Sequence, residues 1–169
     1  MKYKTWIYAL LLLALGVGVV IHQWDRDKRR INKRLSQLQE AVAKETGEGH
    51  LRTLAKSQEV VGFFTPEAEL RLRPLLSQRL TRRELSTIFY QVHSSVDRLQ
   101  VRIRDRRLDV DTASGTASMR FTATGTVHMG GRAETQMHEF HLQWVRRDRE
   151  WYIDQAEIAQ AIRPPGGNR

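Results

Sequence analysis

From Leu99 to Ile158, apolar and polar residues alternate along the chain. Leu99, Val101 and Ile103 stand between Arg98, Gln100, Arg102 and Arg104, and Leu108 and Val110 continue the run past Asp105-Arg106-Arg107. Ala117, Met119, Phe121 and Ala123 alternate with Thr116, Ser118, Arg120, Thr122 and Thr124. Phe140, Leu142 and Trp144 alternate with Glu139, His141, Gln143 and Val145. A period of two held over several residues predicts strands with one buried and one wet face. Asp111-Thr112-Ala113-Ser114-Gly115, Gly130-Gly131 and Arg147-Asp148-Arg149 separate the runs. These breaks are short and polar or glycine-containing, as hairpin connections are. With a closing run at Trp151-Tyr152-Ile153, the pattern predicts four long strands in an antiparallel meander.

Upstream the period changes to that of a helix. Ile31, Leu35, Leu38 and Val42, spaced four, three and four within 30–44, share one helical face. A second helix is expected over 50–61, after Gly47-Glu48-Gly49, with Leu51, Leu54 and either Gln58 or Val61 buried. Ala68, Leu70 and Leu72 alternate with Glu67, Glu69, Arg71 and Arg73, which predicts a short edge strand stopped by Pro74. Thr81-Arg82-Arg83-Glu84 has the form of a capping box, in which the threonine hydroxyl and the glutamate each satisfy a free amide. The helix it opens reaches about Val96, with Leu85, Ile88, Phe89, Val92 and Val96 as its apolar stripe. The expected class is therefore α+β, a curved sheet packed on about three helices.

The first residues add a membrane element. Thr5 to Trp24 carry no charged side chain, and about 20 helical residues span the ~30 Å hydrocarbon core. Trp6, Tyr8 and Trp24 lie near the ends, where aromatic rings favour the interface. A cleaved signal peptide ending near Ala14-Leu15-Gly16 is the rival, but it would leave the apolar remnant Val17 to Ile21. The expected layout is a basic tail at 1–4 and a transmembrane anchor at 5–24. A basic juxtamembrane segment and first helix follow at 25–49, then the rest of the domain at 50–160 and a disordered tail at 161–169. Arg26, Lys28, Arg29, Arg30, Lys33 and Arg34 follow the anchor, and only Lys2 and Lys4 precede it. The positive-inside count then favours a cytoplasmic domain, whereas the short basic start resembles an export signal. The reading adopted is a single-pass inner-membrane protein with a periplasmic domain, the cytoplasmic side being left open. Lys28, Arg29 and Arg30 are placed to meet lipid headgroups.

Composition narrows the chemistry. The 169 residues suit one domain, and 28 Lys plus Arg against 19 Asp plus Glu leave a charge of +9. Cysteine is absent, which excludes disulfides, a thiol nucleophile and cysteine metal sites. Among the histidines, His138 and His141 project to opposite faces of one strand, and no metal site or cofactor is expected. Tyr90, His93 and Asp97 are spaced to share a helix face, and His138 stands with Gln136 on the inward side of a strand. These four are the pocket candidates. The competing reading leaves Tyr90 at a rim, His93 and Asp97 as solvated helix-end groups, and His138 and Gln136 at a frayed sheet edge. Arg98, Arg102, Arg104 and Arg120, with Arg106, form a candidate interaction stripe on the outer sheet face, or a solvated face balanced by Glu134, Glu139 and Asp109. No aromatic residue is interleaved with them, which argues against nucleic acid.

The element order, the step Phe63-Phe64-Thr65-Pro66-Glu67 and the closing Trp151-Tyr152-Ile153 resemble the nuclear-transport-factor-2-like superfamily over about Ile31 to Ile158. That superfamily includes SnoaL-like cyclases, ketosteroid isomerases and non-enzymatic modules. The resemblance implies a cone-like sheet wrapping a helix around a pocket, with the open sheet face as a dimer surface. A tethered version is also similar to periplasmic scaffold components of type IV secretion machines. The function expected on this basis is a membrane-anchored, non-catalytic interaction or assembly module, self-associating or bound to another envelope protein. The alternative is a small-molecule-binding or isomerase-like domain taking a small apolar ligand among Tyr90, His93, Asp97 and His138. A deep pocket with Asp97 buried would favour the enzyme, and a cone filled by Phe89, Met119, Phe121 and Trp144 the module.

Overall fold

A computed structural model describes residues 25–72 and 76–162 of the chain. The anchor at 5–24, the basic tail before it, Pro74 and the tail after Ile162 lie outside the described residues. Among those described, no helix is long and apolar enough to cross a membrane. The elements are α1 (25–42), α2 (His50–Val61), β1 (Phe64–Leu72), β2 (Leu76–Thr81), α3 (Arg82–Ser94), β3 (Arg98–Asp111), β4 (Thr116–Met129), β5 (Arg132–Arg147) and β6 (Glu150–Ile162).

The meander β3-β4-β5-β6 forms as its alternation predicts, each pair antiparallel. Its tight turns use left-handed backbone. Gly130 and Gly131 have φ of 55° and 77°, and Asp148 and Arg149 have φ of 50° and 67°, the paired positive φ that matches a two-residue turn to strand twist. The sheet has six strands, in the order β2-β1-β6-β5-β4-β3. This corrects the single edge strand of the sequence reading. β1 lies inside the sheet, parallel to β6 and antiparallel to β2, which is the true edge. Only Leu76 and Leu80 are large apolar residues in β2, so it offers little alternation to read. β6 also runs to Ile162, past the expected end at Ile158.

The core lies between α1 and the inner sheet face. Ile31 and Leu35 of α1 pack with Met119, Phe121, Leu142, Trp144, Trp151 and Ile153, and each buried aromatic removes roughly 150–250 Å² from water. α1 is fastened near both limits of its described length. Close to the first described residue, the buried carboxylate of Asp27 accepts from Arg146 Nη1 at 3.0 Å and from Trp151 Nε1 at 3.2 Å. Beyond its other end, the backbone of Lys44 pairs with Leu99 at the head of β3. Its 18 described residues therefore run about 27 Å along the sheet, from the pole of the 112–115 and 148–149 turns to that of the 130–131 turn.

The capping box forms as expected: Thr81 Oγ1 accepts from the Glu84 amide, and Glu84 accepts from the Thr81 amide. Two helix faces differ from the sequence reading. Val61 is buried as expected, but Leu51 and Leu54 are exposed, and Thr53, Ser57 and Val60 complete the buried face of α2. Ser57 and Ser86 bring their hydroxyls to 3.3 Å between α2 and α3. These small polar residues let the helices approach, and hydrophobicity counting passes over them. On α3, Val92 is exposed and His93 takes its place in the buried row with Leu85 and Val96.

Candidate ligand-binding site

Strand parity sets out the site. Residues 134, 136, 138 and 140 of β5 face the same side as buried Leu142 and Trp144. Opposite them on β4 are Ala123 and Gly125, paired with His138 and Gln136. Small residues there leave room, and a Cβ added at Gly125 would meet nothing within 4 Å. The result is an apolar hollow of about 180 Å³ between α1 and the sheet, walled by Leu35, Leu38, Phe64, Phe121 and Phe140 among others. It shares Val42, Val101, Ala123 and Phe140 with an outer chamber of about 360 Å³, whose rim is Glu134, Gln136 and His138. Met119, Phe121 and Trp144 fill the far end of the cone, and the mouth end is open.

The rim side chains are linked in one direction. Gln136 Nε2 donates to Glu134 Oε1, and Gln136 Oε1 faces His138 Nε2 at 3.2 Å. A carboxylate only accepts, so Gln136 turns its amide nitrogen to Glu134 and its oxygen to the imidazole. That oxygen also only accepts, which places the neutral ring's proton on Nε2. His138 Nδ1 then keeps a lone pair, and it is buried without a hydrogen-bond partner among the described residues. A buried acceptor without a donor costs about 1–3 kcal/mol, which a ligand donor would recover. The ring is steadied edge-on against Phe140, with centroids 6.5 Å apart.

The four pocket candidates from the sequence do not converge. Only His138 lines the outer chamber. Tyr90 faces a different depression of about 620 Å³ between α2 and α3, its hydroxyl 3.4 Å from His50 Nδ1. Two of the polar groups along that larger groove are already engaged: Gln58 bonds to Ser86, and Arg82 to the Phe64 carbonyl. Asp97 is exposed, and its carboxylate accepts from the Gly130 amide at 2.9 Å, holding the β4–β5 turn. His93 is not a solvated helix-end group. It is 1 % exposed and stacked on Phe89 at 4.9 Å, and neither ring nitrogen has a hydrogen-bond partner among the described residues. Burial pushes its pKa below the ordinary value, and the cations Lys44 and Lys56 push it the same way against Glu48 and the Val42 carbonyl. Lys44, itself buried, donates from Nζ to the carbonyls of His93 and Val96, each at 2.7 Å.

Two rim and surface assignments change. Glu134 belongs to the inner rim and not to the outer face where it was expected to balance arginines, a parity shared with Phe140 that the sequence already displays. Arg98, Arg102, Arg104 and Arg120 are exposed on the outer side, as their alternation implies. However, Asp105 takes a φ of 54° and inserts a bulge, so Arg107, not Arg106, comes opposite Arg120. His141 bonds to Ser118 at 3.0 Å on that same outer side, away from His138.

The SnoaL-like domain model matches residues 50–157, and the chain belongs to the SnoaL-like domain family. Solved structures agree on the fold. A Mycobacterium tuberculosis protein of unknown function superposes with a TM-score of 0.68 at 16% identity, over 85% of this chain and 76% of its own. A nuclear-transport-factor-2-like protein of Novosphingobium aromaticivorans with a cystatin-like fold gives 0.67 at 10%, over 82% and 84%. A second protein of that organism, provisionally named a scytalone dehydratase, gives 0.63 at 11%, over 85% and 95%. At such identities the likeness shows the fold. No curated protein matches the sequence.

Proposed function

We propose that this chain is a membrane-tethered binding domain whose cone holds one small, largely apolar molecule carrying a hydroxyl or similar hydrogen-bond donor. The unpartnered Nδ1 of His138, on a side chain that lines the outer chamber beside the apolar hollow, carries the reading. Apolar walls supply affinity without direction, and a single buried acceptor supplies orientation. Glu134 at the rim disfavours anionic ligands. In this reading residues 5–24 anchor the chain in the inner membrane with the domain in the periplasm. The arginine-lined outer face then remains free for a second copy or another envelope protein.

The test is calorimetric titration of the detergent-solubilised full chain with 2-naphthol and with naphthalene, which lacks the donor. The naphthol should bind about tenfold or more tightly, because only it satisfies the buried nitrogen. His138→Leu should erase that difference, and Gly125→Val should weaken both ligands by filling the outer chamber. Equal binding of the two molecules, or of neither, sinks the proposal.

A second reading has one observation in its favour. The Glu134–Gln136–His138 chain orients the imidazole as general bases are oriented, in the manner of an isomerase- or cyclase-like site. Turnover of a bound ligand, lost in His138→Gln, would move the assignment from binding to catalysis.

A further inference from the structure

The two poles of the domain differ in charge, and α1 joins them. At the pole where α1 begins, Arg26, Arg29, Arg30 and Lys33 are exposed on the helix, with Arg147 and Arg149 exposed on the adjoining β5–β6 turn. Contacts gather these groups together. Arg30 Nη1 donates to the Arg149 carbonyl at 3.3 Å, and Arg146 reaches both Asp27 and the Thr112 carbonyl of the β3–β4 turn. Among the described residues, none of the six cations lies within 4 Å of a carboxylate. The acids of this pole are largely committed elsewhere. Glu150 is held by Arg34, Asp27 is buried under Arg146, and Asp111 accepts from the amides of its own turn. Asp25 and Asp148 remain exposed. The opposite pole, at the cone mouth, mixes Glu45, Asp97 and Glu134 with Arg98 and Arg132.

The geometry points to the α1-start pole as a docking face for anionic lipid headgroups, with the cone mouth turned away from the bilayer. The inference rests on the tether reading, because the uncharged stretch 5–24 ends where this cationic pole begins. A domain held there presents both turns and the first turns of α1 to the membrane surface. Unpaired surface cations gain most next to anionic lipid, where each phosphate lies within a Debye length. The Asp27 clamp fixes α1 to β5 and β6, so the domain docks as a unit. The mouth then stands about one helix length, roughly 27 Å, from the headgroups. A ligand reaches the cone from the aqueous phase, not by sliding out of the lipid.

The absence of cysteine makes the test direct, since a single introduced thiol labels uniquely. Full-length Ser114→Cys and Ala133→Cys variants carry a fluorophore at the two poles, in vesicles containing headgroup-spin-labelled lipid. With about one third phosphatidylglycerol, the label at 114 should be quenched and that at 133 should not. Quenching at 114 should fall about threefold or more in purely zwitterionic vesicles, in 0.5 M salt, or with Arg29→Glu, Arg147→Glu and Arg149→Glu combined. Equal quenching at both positions, or none at 114, in protein that floats with the vesicles overturns the docking face and leaves the tether standing. Failure to float with vesicles of either composition overturns the tether, and the docking face with it.

Discussion

Two histidines of this domain have buried ring nitrogens without partners, and their surroundings give those nitrogens opposite meanings. His93 is sealed between Phe89, Lys44 and the end of α1, with no cavity against it among those described. His138 has an equally orphaned Nδ1, but on the wall of a chamber of about 360 Å³. In the first place the unmet hydrogen bond is a local cost that the packing around it sustains. In the second it belongs to a side chain that lines a chamber. An unsatisfied atom therefore indicates binding only where space adjoins it.

The largest effect should come from removing the ammonium beside His93. Lys44→Met strips the donors from two carbonyls at the end of α3, and urea denaturation should show a loss of about 2 kcal/mol. It also removes a positive neighbour, so the His93 pKa should rise towards its ordinary value, read by NMR titration. A lysine whose removal changed neither quantity would break the sealed-pocket description.

Next in size is His93→Leu. It replaces two orphan nitrogens by methyl groups and should add about 1 kcal/mol at neutral pH. The pH dependence has a definite sign. The folded ring has a pKa below the ordinary 6.5, so below that pH the unfolded chain takes up a proton that the folded one refuses. Stability is full above pH 6.5 and is lost as the pH falls towards the folded value. The leucine variant should lack this loss, so the gap between it and the parent should widen between pH 7 and 5. A constant gap would mean that His93 is not excluded from water.

The smallest effect belongs to the rim. Gln136→Leu removes the oxygen that fixes the His138 tautomer and should change stability by less than about 0.5 kcal/mol. Ring ¹⁵N shifts should then report a mixture of tautomers, and naphthol affinity should fall about threefold. Unchanged shifts would detach Gln136 from the orientation of His138.

The strands of the meander were legible because apolar and polar residues alternate along stretches of each, and their turns carry glycine or Asp-Arg. The capping box at Thr81 and Glu84 was legible for the same local reason. β2 was not, since its partner β1 determines it and its own residues hardly alternate. The α2 face departs from its apolar spacing because Thr53 and Ser57 are buried, whereas Leu51 is largely exposed and Leu54 half exposed. At the site, sequence spacing placed Tyr90, His93 and Asp97 on one helix face. A helix face does not say what covers it: Tyr90 meets α2, His93 meets α1's end and Asp97 meets a turn. His138 and Gln136 stood out by parity, whereas the tautomer that makes Nδ1 free follows only from where the Glu134 carboxylate lies.

The arginines of β3 have one more consequence, which needs no partner. Beyond its head, where Lys44 pairs with Leu99, β3 is an edge of the sheet, and an edge strand offers unpaired backbone groups to any neighbouring chain. Repeated guanidinium groups and the kink at Asp105 make that edge a poor template, since a second β3 laid beside it would set like charges together and lose register at the bulge. The same residues thus guard the domain against adding copies of itself edge to edge into fibrils.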